Sequence, residues 1–441
     1  MHVVLLCGYY YPDTVGGTEA YVRMLGRDLK EAGHNVTVAA PATGDDLQTY
    51  THDGLDVVRY PVSQNPTRAE VRGEAPPAHL TVWEQWLRKE QPDLVHMHSL
   101  TRGCGIAHAD VVHALDIPLF ITIHVPEVTC VRGTMMRWGK TPCDGEIRPV
   151  RCAACDLHEK GIPRAMAWGT AVLSQTEMAS FLPGRLGTAL SRAPQIQQRK
   201  DRLQNWMKTA RHIIVVADWL RDVLVANDID PDHITVSRHG LTETMHATQQ
   251  QALERRNNHP RSSALTVGFV GRFTPVKGVH VLIEAIQQLP SSLPIETRLY
   301  GMVQTTADQA YLDNLKRKAT GDDRIQFCGA MTMDNRAAAF ADFDLLAVPS
   351  TWLETGPYTV LEAYAAGIPV VGSDQGGIAE RVVDGESGRL VAAGDPDAWA
   401  RALQELYDRH RSGNWSWDLP TPRRSREVAQ EMVDLCHEHG V

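Results

Sequence analysis

No apolar run in the 441-residue chain approaches the ~18 residues that a membrane-spanning helix needs, so no span is expected. Cationic excess is missing too: 44 Lys and Arg stand against 53 Asp and Glu, a net charge of −9. A protein that coats nucleic acid needs the opposite balance, and none is expected as a partner. The first residues, Met1 to Gly8, are apolar but carry no basic leader and break after one short stretch. They read as a core strand and not as a signal peptide. The eight cysteines are therefore expected in a reducing, cytoplasmic setting, which leaves metal binding or burial to explain them. Short-period repeats and low-complexity segments are absent as well. With 43% hydrophobic and 22% charged residues the composition is ordinary for a globular protein, which excludes disordered, collagenous and disulfide-scaffold classes.

What is present is an alternation of short apolar runs with helical periodicity, the pattern of parallel sheets covered by helices. Strands are expected at His2–Cys7, Asn35–Ala39, Asp56–Tyr60, Leu94–His98, Leu119–His124 and His212–Ala217, with helices such as Thr18–Ala32, Val82–Glu90 and Ile106–Leu115 between them. A polar stretch, Gln249 to Ser263, interrupts the series, and the alternation restarts at Leu265–Val270. Further strands follow at Glu296–Leu299, Ile325–Phe327, Leu345–Val348, Pro369–Gly372 and Arg389–Val391. The expected organisation is an N-terminal Rossmann-like domain over 1–245, a linker over 246–263, a second Rossmann-like domain over 264–417 and a closing helix within 418–441. Two doubly wound α/β domains would face a central cleft, and ligands bind such sheets at the carboxyl ends of the strands.

The loops at those ends carry the chemistry. After the first strand comes a long loop that reaches Gly16-Gly17 and then enters a helix. Adjacent glycines there let backbone approach a ligand, but the run is not the GxGxxG dinucleotide fingerprint. The second series opens with Val270-Gly271-Arg272-Phe273-Thr274-Pro275-Val276-Lys277-Gly278. Two cations beside a helix start suit a diphosphate whose charge grows as its bond breaks. Glu354 follows the strand Leu345–Val348, and Glu362 lies in the next helix; carboxylates accept hydrogen bonds from sugar hydroxyls. Gly376-Gly377 form a further glycine pair after the next strand.

In this order and spacing the motifs resemble those of a retaining family-4 glycosyltransferase of the GT-B fold, of the bacterial polysaccharide-biosynthesis type. The resemblance rests on Gly16-Gly17, Gly33-His34-Asn35-Val36, Arg272 with Lys277, Glu354-x7-Glu362 and Gly376-Gly377…Glu380, and spans nearly the whole chain. It implies retaining, metal-independent transfer of a sugar from a UDP- or GDP-hexose type donor to a glycan or glycolipid acceptor in cell-surface polysaccharide biosynthesis. By the family pattern Arg272 and Lys277 grip the diphosphate, Glu362 binds the ribose, and Glu354 holds donor-sugar hydroxyls. Gly16 and Gly17 approach phosphates or acceptor, and His124 matches the histidine near the reacting sugar. The chain departs from the pattern at Arg238-His239-Gly240, at Met302-Val303 after Gly301, and at Val125 after His124. The rival readings are a non-catalytic nucleotide-sugar binder or scaffold, and a GT-B sugar-nucleotide epimerase or phosphorylase. A metal-dependent Asp-x-Asp enzyme is disfavoured, because Asp342-Phe343-Asp344 precedes a core strand.

Cys130, Cys143, Cys152 and Cys155 form C-x12-C-x8-C-x2-C within a loop rich in Gly and Pro. Four thiolates match tetrahedral Zn(II), so a structural zinc is the leading reading, ahead of an iron–sulfur cluster or of buried or paired thiols. Cys7, Cys104, Cys328 and Cys436 are scattered and read as buried small hydrophobes. His96 and His98 alternate on a strand, and a core or surface role is the better reading of both. From Gly161 to Arg211 run Arg164, Arg185, Arg192, Arg199, Lys200, Arg202, Lys208 and Arg211 against Glu177 and Asp201. Met166, Trp168, Leu173, Met178, Phe181 and Leu182 are interleaved with them. A solvated helical face over an ordinary core is the leading interpretation; the alternative is a peripheral contact with the inner face of the membrane or a lipid-diphosphate acceptor.

Overall fold

The structure, a computed structural model, describes residues 1–13, 16–67, 69–70, 75–101, 103–175, 184–258 and 263–441. Two compact α/β units emerge: Met1–Arg238 together with Ser425–Val441, and His239–Arg424.

The first unit is built on an eight-stranded sheet of order β10-β9-β6-β5-β1-β2-β4-β3. Its strands are β1 (His2–Leu6), β2 (Asn35–Thr43), β3 (Gln48–His52), β4 (Leu55–Val62), β5 (Leu94–Met97), β6 (Leu119–Ile123), β9 (His212–Val215) and β10 (Ile234–Val236). The two short strands β7 (Met136–Arg137) and β8 (Thr141–Pro142) pair separately as a hairpin. All neighbours in the large sheet are parallel except β3, which runs antiparallel to β4 at the edge. Central strands are buried on both faces, which is why Val3 to Leu6 reads as an unbroken apolar run. The helix Gly17–Glu31 instead buries Tyr21, Val22, Leu25 and Leu29 at helical spacing, and Gly33 ends the turn at φ +92°.

The second unit carries a six-stranded, wholly parallel sheet of order β13-β12-β11-β14-β15-β16. Its strands are β11 (Leu265–Arg272), β12 (Ile295–Met302), β13 (Ile325–Gly329), β14 (Leu345–Val348), β15 (Val370–Ser373) and β16 (Gly388–Val391). In each sheet the strand order reverses at the first strand: β1 lies between β2 and β5, and β11 between β12 and β14. Connections leave such a switch strand and its neighbour toward opposite faces, which opens a crevice at their carboxyl ends. That places the loops following β1 and β5, and those following β11 and β14, at the natural binding edge of each unit.

Three expectations need correction. The stretch expected as linker is largely a helix, Glu243–Asn258, which packs on the helices Met333–Ala341 and Tyr358–Ala365 of the second unit. It buries only Gln249 and Ala252, so no apolar periodicity announces it; residues 259–262 of that stretch lie outside the described residues. The closing helix, Ser425–Glu438, is part of the first unit, where Val428, Met432 and Val433 pack in the core beneath the helix Gly17–Glu31. Finally, Cys7, Cys104 and Cys436 are buried as expected, but Cys328 is only partly so, because β13 is the edge strand of its sheet.

Candidate active site

In the second unit three loops meet at the carboxyl end of the sheet: 272–278 after β11, 349–356 after β14 and 374–377 after β15. Their contact is made by backbone. The Thr351 amide donates to the Val276 carbonyl at 2.8 Å, and the Gly377 amide donates to the Glu354 carbonyl at 2.6 Å. Gln375 Nε2 adds bonds to the carbonyls of Ser350 and Trp352. A Cβ on Gly278, which sits at φ +69°, would lie 1.8 Å from the Pro349 carbonyl oxygen, and one on Gly377 would lie 2.8 Å from the Gly356 nitrogen. Glycine is needed at both positions for the loops to approach this closely. The amide of Gly377 is thus spent within the protein, and the glycine pair acts here by permitting that approach.

Lys277 and Glu354, 77 residues apart in sequence, form an ion pair: Lys277 Nζ lies 2.6 Å from Glu354 Oε1. The Ser350 hydroxyl (2.7 Å) and Trp352 Nε1 (2.8 Å) donate to the same oxygen. Burial opposes ionisation of Glu354, but the Lys277 ammonium and these donors hold its carboxyl below the ordinary value. Arg272 is anchored differently, through Nε to Asp308 Oδ2 at 2.8 Å. Asp308 also accepts the amides of Gln304 and Thr305 at the start of the helix Thr306–Ala319. Its burial favours the neutral acid, yet those bonds keep the carboxyl below its usual range. Glu362 is only 4% exposed and pairs with Arg336 at 2.5 Å. Here burial prevails over the arginine and its carboxyl is raised. Sequence reasoning identified the cations and carboxylates but missed Asp308 and Arg336, whose separation along the chain hides the pairing, and gave no role to Ser350 and Trp352, which lie four and two residues from Glu354.

In the first unit Gly16 caps the helix Gly17–Glu31 with extended backbone, and a Cβ on Gly17 would meet open space. The loop before them is knitted by the buried Arg59, which donates to the carbonyls of Tyr10 (2.8 Å) and Tyr11 (3.0 Å); Thr14 and Val15 lie outside the described residues. His124 follows β6 and is 6% exposed. Its Nε2 is hydrogen-bonded to Nδ1 of His98, 3.2 Å away, and the Tyr21 ring packs 4.6 Å from its own. Burial holds His98 well below the ordinary imidazole range, and His96, bonded to Thr122 Oγ1, falls to about 3. Both are core histidines, as expected, but His98 is also the support of His124. Parallel pairing of β5 with β6 makes this contact diagonally: the register carries His98 opposite Thr122, and His124, two residues on, returns to the same face of the neighbouring strand end.

The departure at 238–240 and the Asp-x-Asp run at 342–344 are accounted for by local contacts. His239 stacks on Tyr358 at 4.7 Å and bonds the Gly356 carbonyl, and burial pushes its imidazole down to about 3. Asp342 is bound by Arg298, and Asp344 accepts the Thr266 amide, so both serve structural bonds. The basic stretch divides. Ile196, Leu203, Trp206 and Met207 of the helix Arg192–Thr209 form core, but the helix Arg164–Leu173 buries only Ala167 and Ala171 and exposes Met166, Trp168, Val172 and Leu173. An ordinary core under that face is therefore corrected: its larger apolar side chains point outward. Glu177, Met178, Phe181 and Leu182 lie outside the described residues. Among the described residues no group of three or more His, Cys, Asp or Glu side chains stands in metal-coordinating position, the four-cysteine loop included.

Residues 15–165 match the family described as "Glycosyltransferase Family 4", and residues 264–409 match "Glycosyl transferases group 1". The chain belongs to these glycosyltransferases. Among curated relatives of this family member, the D-inositol 3-phosphate glycosyltransferase of Corynebacterium efficiens is 32% identical over 236 residues, covering 49% of this chain and 55% of that protein. The first such matches span about half the relatives' length. A phosphatidyl-myo-inositol mannosyltransferase of Mycolicibacterium smegmatis is 25% identical over 409 residues, covering 91% of this chain and 84% of that protein. Among solved structures, Anabaena HepE in complex with UDP and glucose superimposes with TM-score 0.65 at 15% identity, covering 99% of this chain and 100% of that one. A sucrose-phosphate synthase from Thermosynechococcus elongatus gives TM-score 0.63 at 17% identity, with 99% of both chains covered. These likenesses establish the GT-B fold.

Proposed function

We propose that this glycosyltransferase is retaining and metal-independent, and that it moves a hexose-type sugar from a UDP- or GDP-sugar to a glycan or lipid-linked acceptor of the cell surface. The observation that carries the proposal is the Lys277–Glu354 pair, locked among three loops at the carboxyl end of the second sheet. An ammonium has three donors, and Glu354 takes one of them, leaving Lys277 oriented to meet a phosphate oxygen. Arg272, fixed by Asp308, supplies a second cation. As the bond from the anomeric carbon to the diphosphate breaks, negative charge gathers on the leaving oxygen. Cations already held in place stabilise that charge without reorganising. Glu354 then serves twice, steadying Lys277 and presenting a carboxylate to sugar hydroxyls. Glu362 is assigned to the ribose, and His124, supported by His98, to the reacting sugar and acceptor. The UDP and glucose named for HepE support a UDP-type donor. The inositol-containing names of the curated relatives support a polyol or inositol lipid among the acceptors to be tried. The outward apolar residues of the helix Arg164–Leu173, beside Arg164, support a peripheral contact at the cytoplasmic membrane face.

Thermal-shift titration with UDP, GDP and their hexose conjugates tests the donor assignment, since a ligand that binds the native state raises its melting temperature. Arg272→Ala is expected to lose most of the diphosphate-dependent shift; a full shift would remove Arg272 from the site. Transfer is read by product detection over a panel of glycan and lipid acceptors, with the anomeric configuration of the product reporting retention. Donor binding without transfer or hydrolysis across that panel would identify a binding protein instead.

A further inference from the structure

The four clustered thiols lie on three separate pieces of local structure. Cys130 follows the turn Pro126–Val128, Cys143 follows β8, and Cys152 and Cys155 stand one turn apart on the helix Pro149–Glu159. Residues three apart on a helix share a face. None of the four is in a disulfide, and all are partly buried. All four line a single cavity of about 40 Å³, several times the ~10–15 Å³ that one water requires. The cavity wall also presents three arginines, Arg132, Arg137 and Arg151, and one carboxylate, Glu146. Arg132 donates to Cys155 Sγ at 3.4 Å, and the Trp138 amide donates to the same sulfur at 3.3 Å.

The segment has little regular secondary structure; Arg151 binds Asp144 at 2.5 and 2.6 Å and the Glu146 carbonyl at 2.6 Å, and Val128 and Ile147 pack in the core of the first unit. Its two strands are two residues each, and Met135 and Trp138 adopt left-handed backbone at φ +53° and +57°. Side chains with a Cβ occupy that region at a cost and need their surroundings to enforce it. Asn227 contributes polar ties, accepting the Ile147 amide at 2.8 Å and donating to the Gly145 carbonyl at 2.9 Å. These anchor one end of the loop.

We propose that Cys130, Cys143, Cys152 and Cys155 bind one structural Zn(II) in this cavity, stapling the segment that follows His124. A tetrahedral zinc at about 2.3 Å from each sulfur needs the sulfurs roughly 3.8 Å apart. The thiols as placed do not converge that far, so the ion draws them inward by side-chain rotation across the cavity they already share. Four thiolates around Zn(II) carry a net charge of about −2, beside Arg132, which is paired with Glu159, and Arg151, which is paired with Asp144. Binding releases the thiol protons to solvent and changes no oxidation state.

The test is independent of sugar transfer. Full-length protein purified without chelator is assayed for zinc and iron, and its reactive thiols are counted before and after chelation. The expected result is about one zinc per chain, with four thiols becoming reactive only once the metal is removed. Cys152→Ser is expected to lose the zinc, and Cys328→Ser to keep it. A nucleotide-dependent thermal shift retained in Cys152→Ser shows that the loss of metal is not global unfolding. Metal-free protein with all four thiols reactive overturns the proposal, as does iron with visible absorption. Zinc retained at full stoichiometry in both Cys152→Ser and Cys155→Ser also overturns it.

Discussion

The binding edges of the two units share one topology and differ in the side chains that support them. In the second unit the switch-point loops are held by ion pairs, Lys277–Glu354 and Arg272–Asp308, with Arg336–Glu362 behind them. In the first unit the equivalent edge carries histidines, of which the supporting pair His96 and His98 is held neutral by burial. Fixed charge suits a diphosphate whose anionic character increases during reaction, whereas a near-neutral hydrogen-bonding edge suits a hydroxyl acceptor. On the proposed function, one architecture would serve two partners by changing the residues at its carboxyl-end loops.

The sharpest way to break this contrast is to remove one member of the central ion pair. Lys277→Ala leaves Glu354 buried without its ammonium, and the expected outcome is a fall in kcat/KM of about 10²–10³-fold. A loss of stability of about 3 kcal/mol should accompany it. Both are measurable from initial rates and chemical denaturation. A mild effect on both would show that the pair is not the centre of the site.

The first unit should respond without losing the donor. His124→Ala is expected to lower turnover roughly 10²-fold, with the nucleotide-dependent thermal shift unchanged. His98→Ala, which removes the supporting hydrogen bond together with a buried ring, should cost roughly 5–10-fold. If His98→Ala equals His124→Ala, the two act as one unit; if it has no effect, His98 is core alone.

Within the second unit the two glutamates should show opposite pH dependence. Glu354 has a depressed carboxyl, so its contribution is present above the unfolded value near 4.5 and is lost as pH falls through the depressed one. Glu362 has a raised carboxyl, so its ionisation costs stability as pH rises from near 4.5 through the raised value. Glu354→Gln should therefore flatten the acid limb of the stability profile, while Glu362→Gln should gain relative to wild type across that upper interval. Denaturation midpoints from pH 3 to 8 decide it. The smallest effect is expected at the exposed helix: Met166→Ser with Trp168→Ser should weaken co-sedimentation with anionic vesicles and leave turnover on a soluble acceptor unchanged. Unchanged vesicle binding would remove that helix from any membrane contact.

The strand series was readable because buried parallel strands are continuous apolar runs; Leu345–Val348 has the same limits in sequence and structure. The edge strand Gln48–His52 was not, since its residues are polar and largely exposed. The helix Glu243–Asn258 escaped notice for the same reason. Arg272, Lys277, Glu354 and Glu362 were legible from residue type and order at strand ends. Their partners were not, because Asp308 and Arg336 lie 36 and 26 residues from the groups they bind.

From the one-dimensional string alone came the fold class, the placement of charge at strand ends and the clustering of four cysteines, all properties of local pattern. Tertiary structure decided which charges pair, that His98 supports His124, that Ser425–Glu438 returns to the first unit, and that all four thiols share one cavity. The physical reason is that periodicity reports which face of an element is buried, whereas a hydrogen bond or ion pair depends on distances that only the packed chain sets.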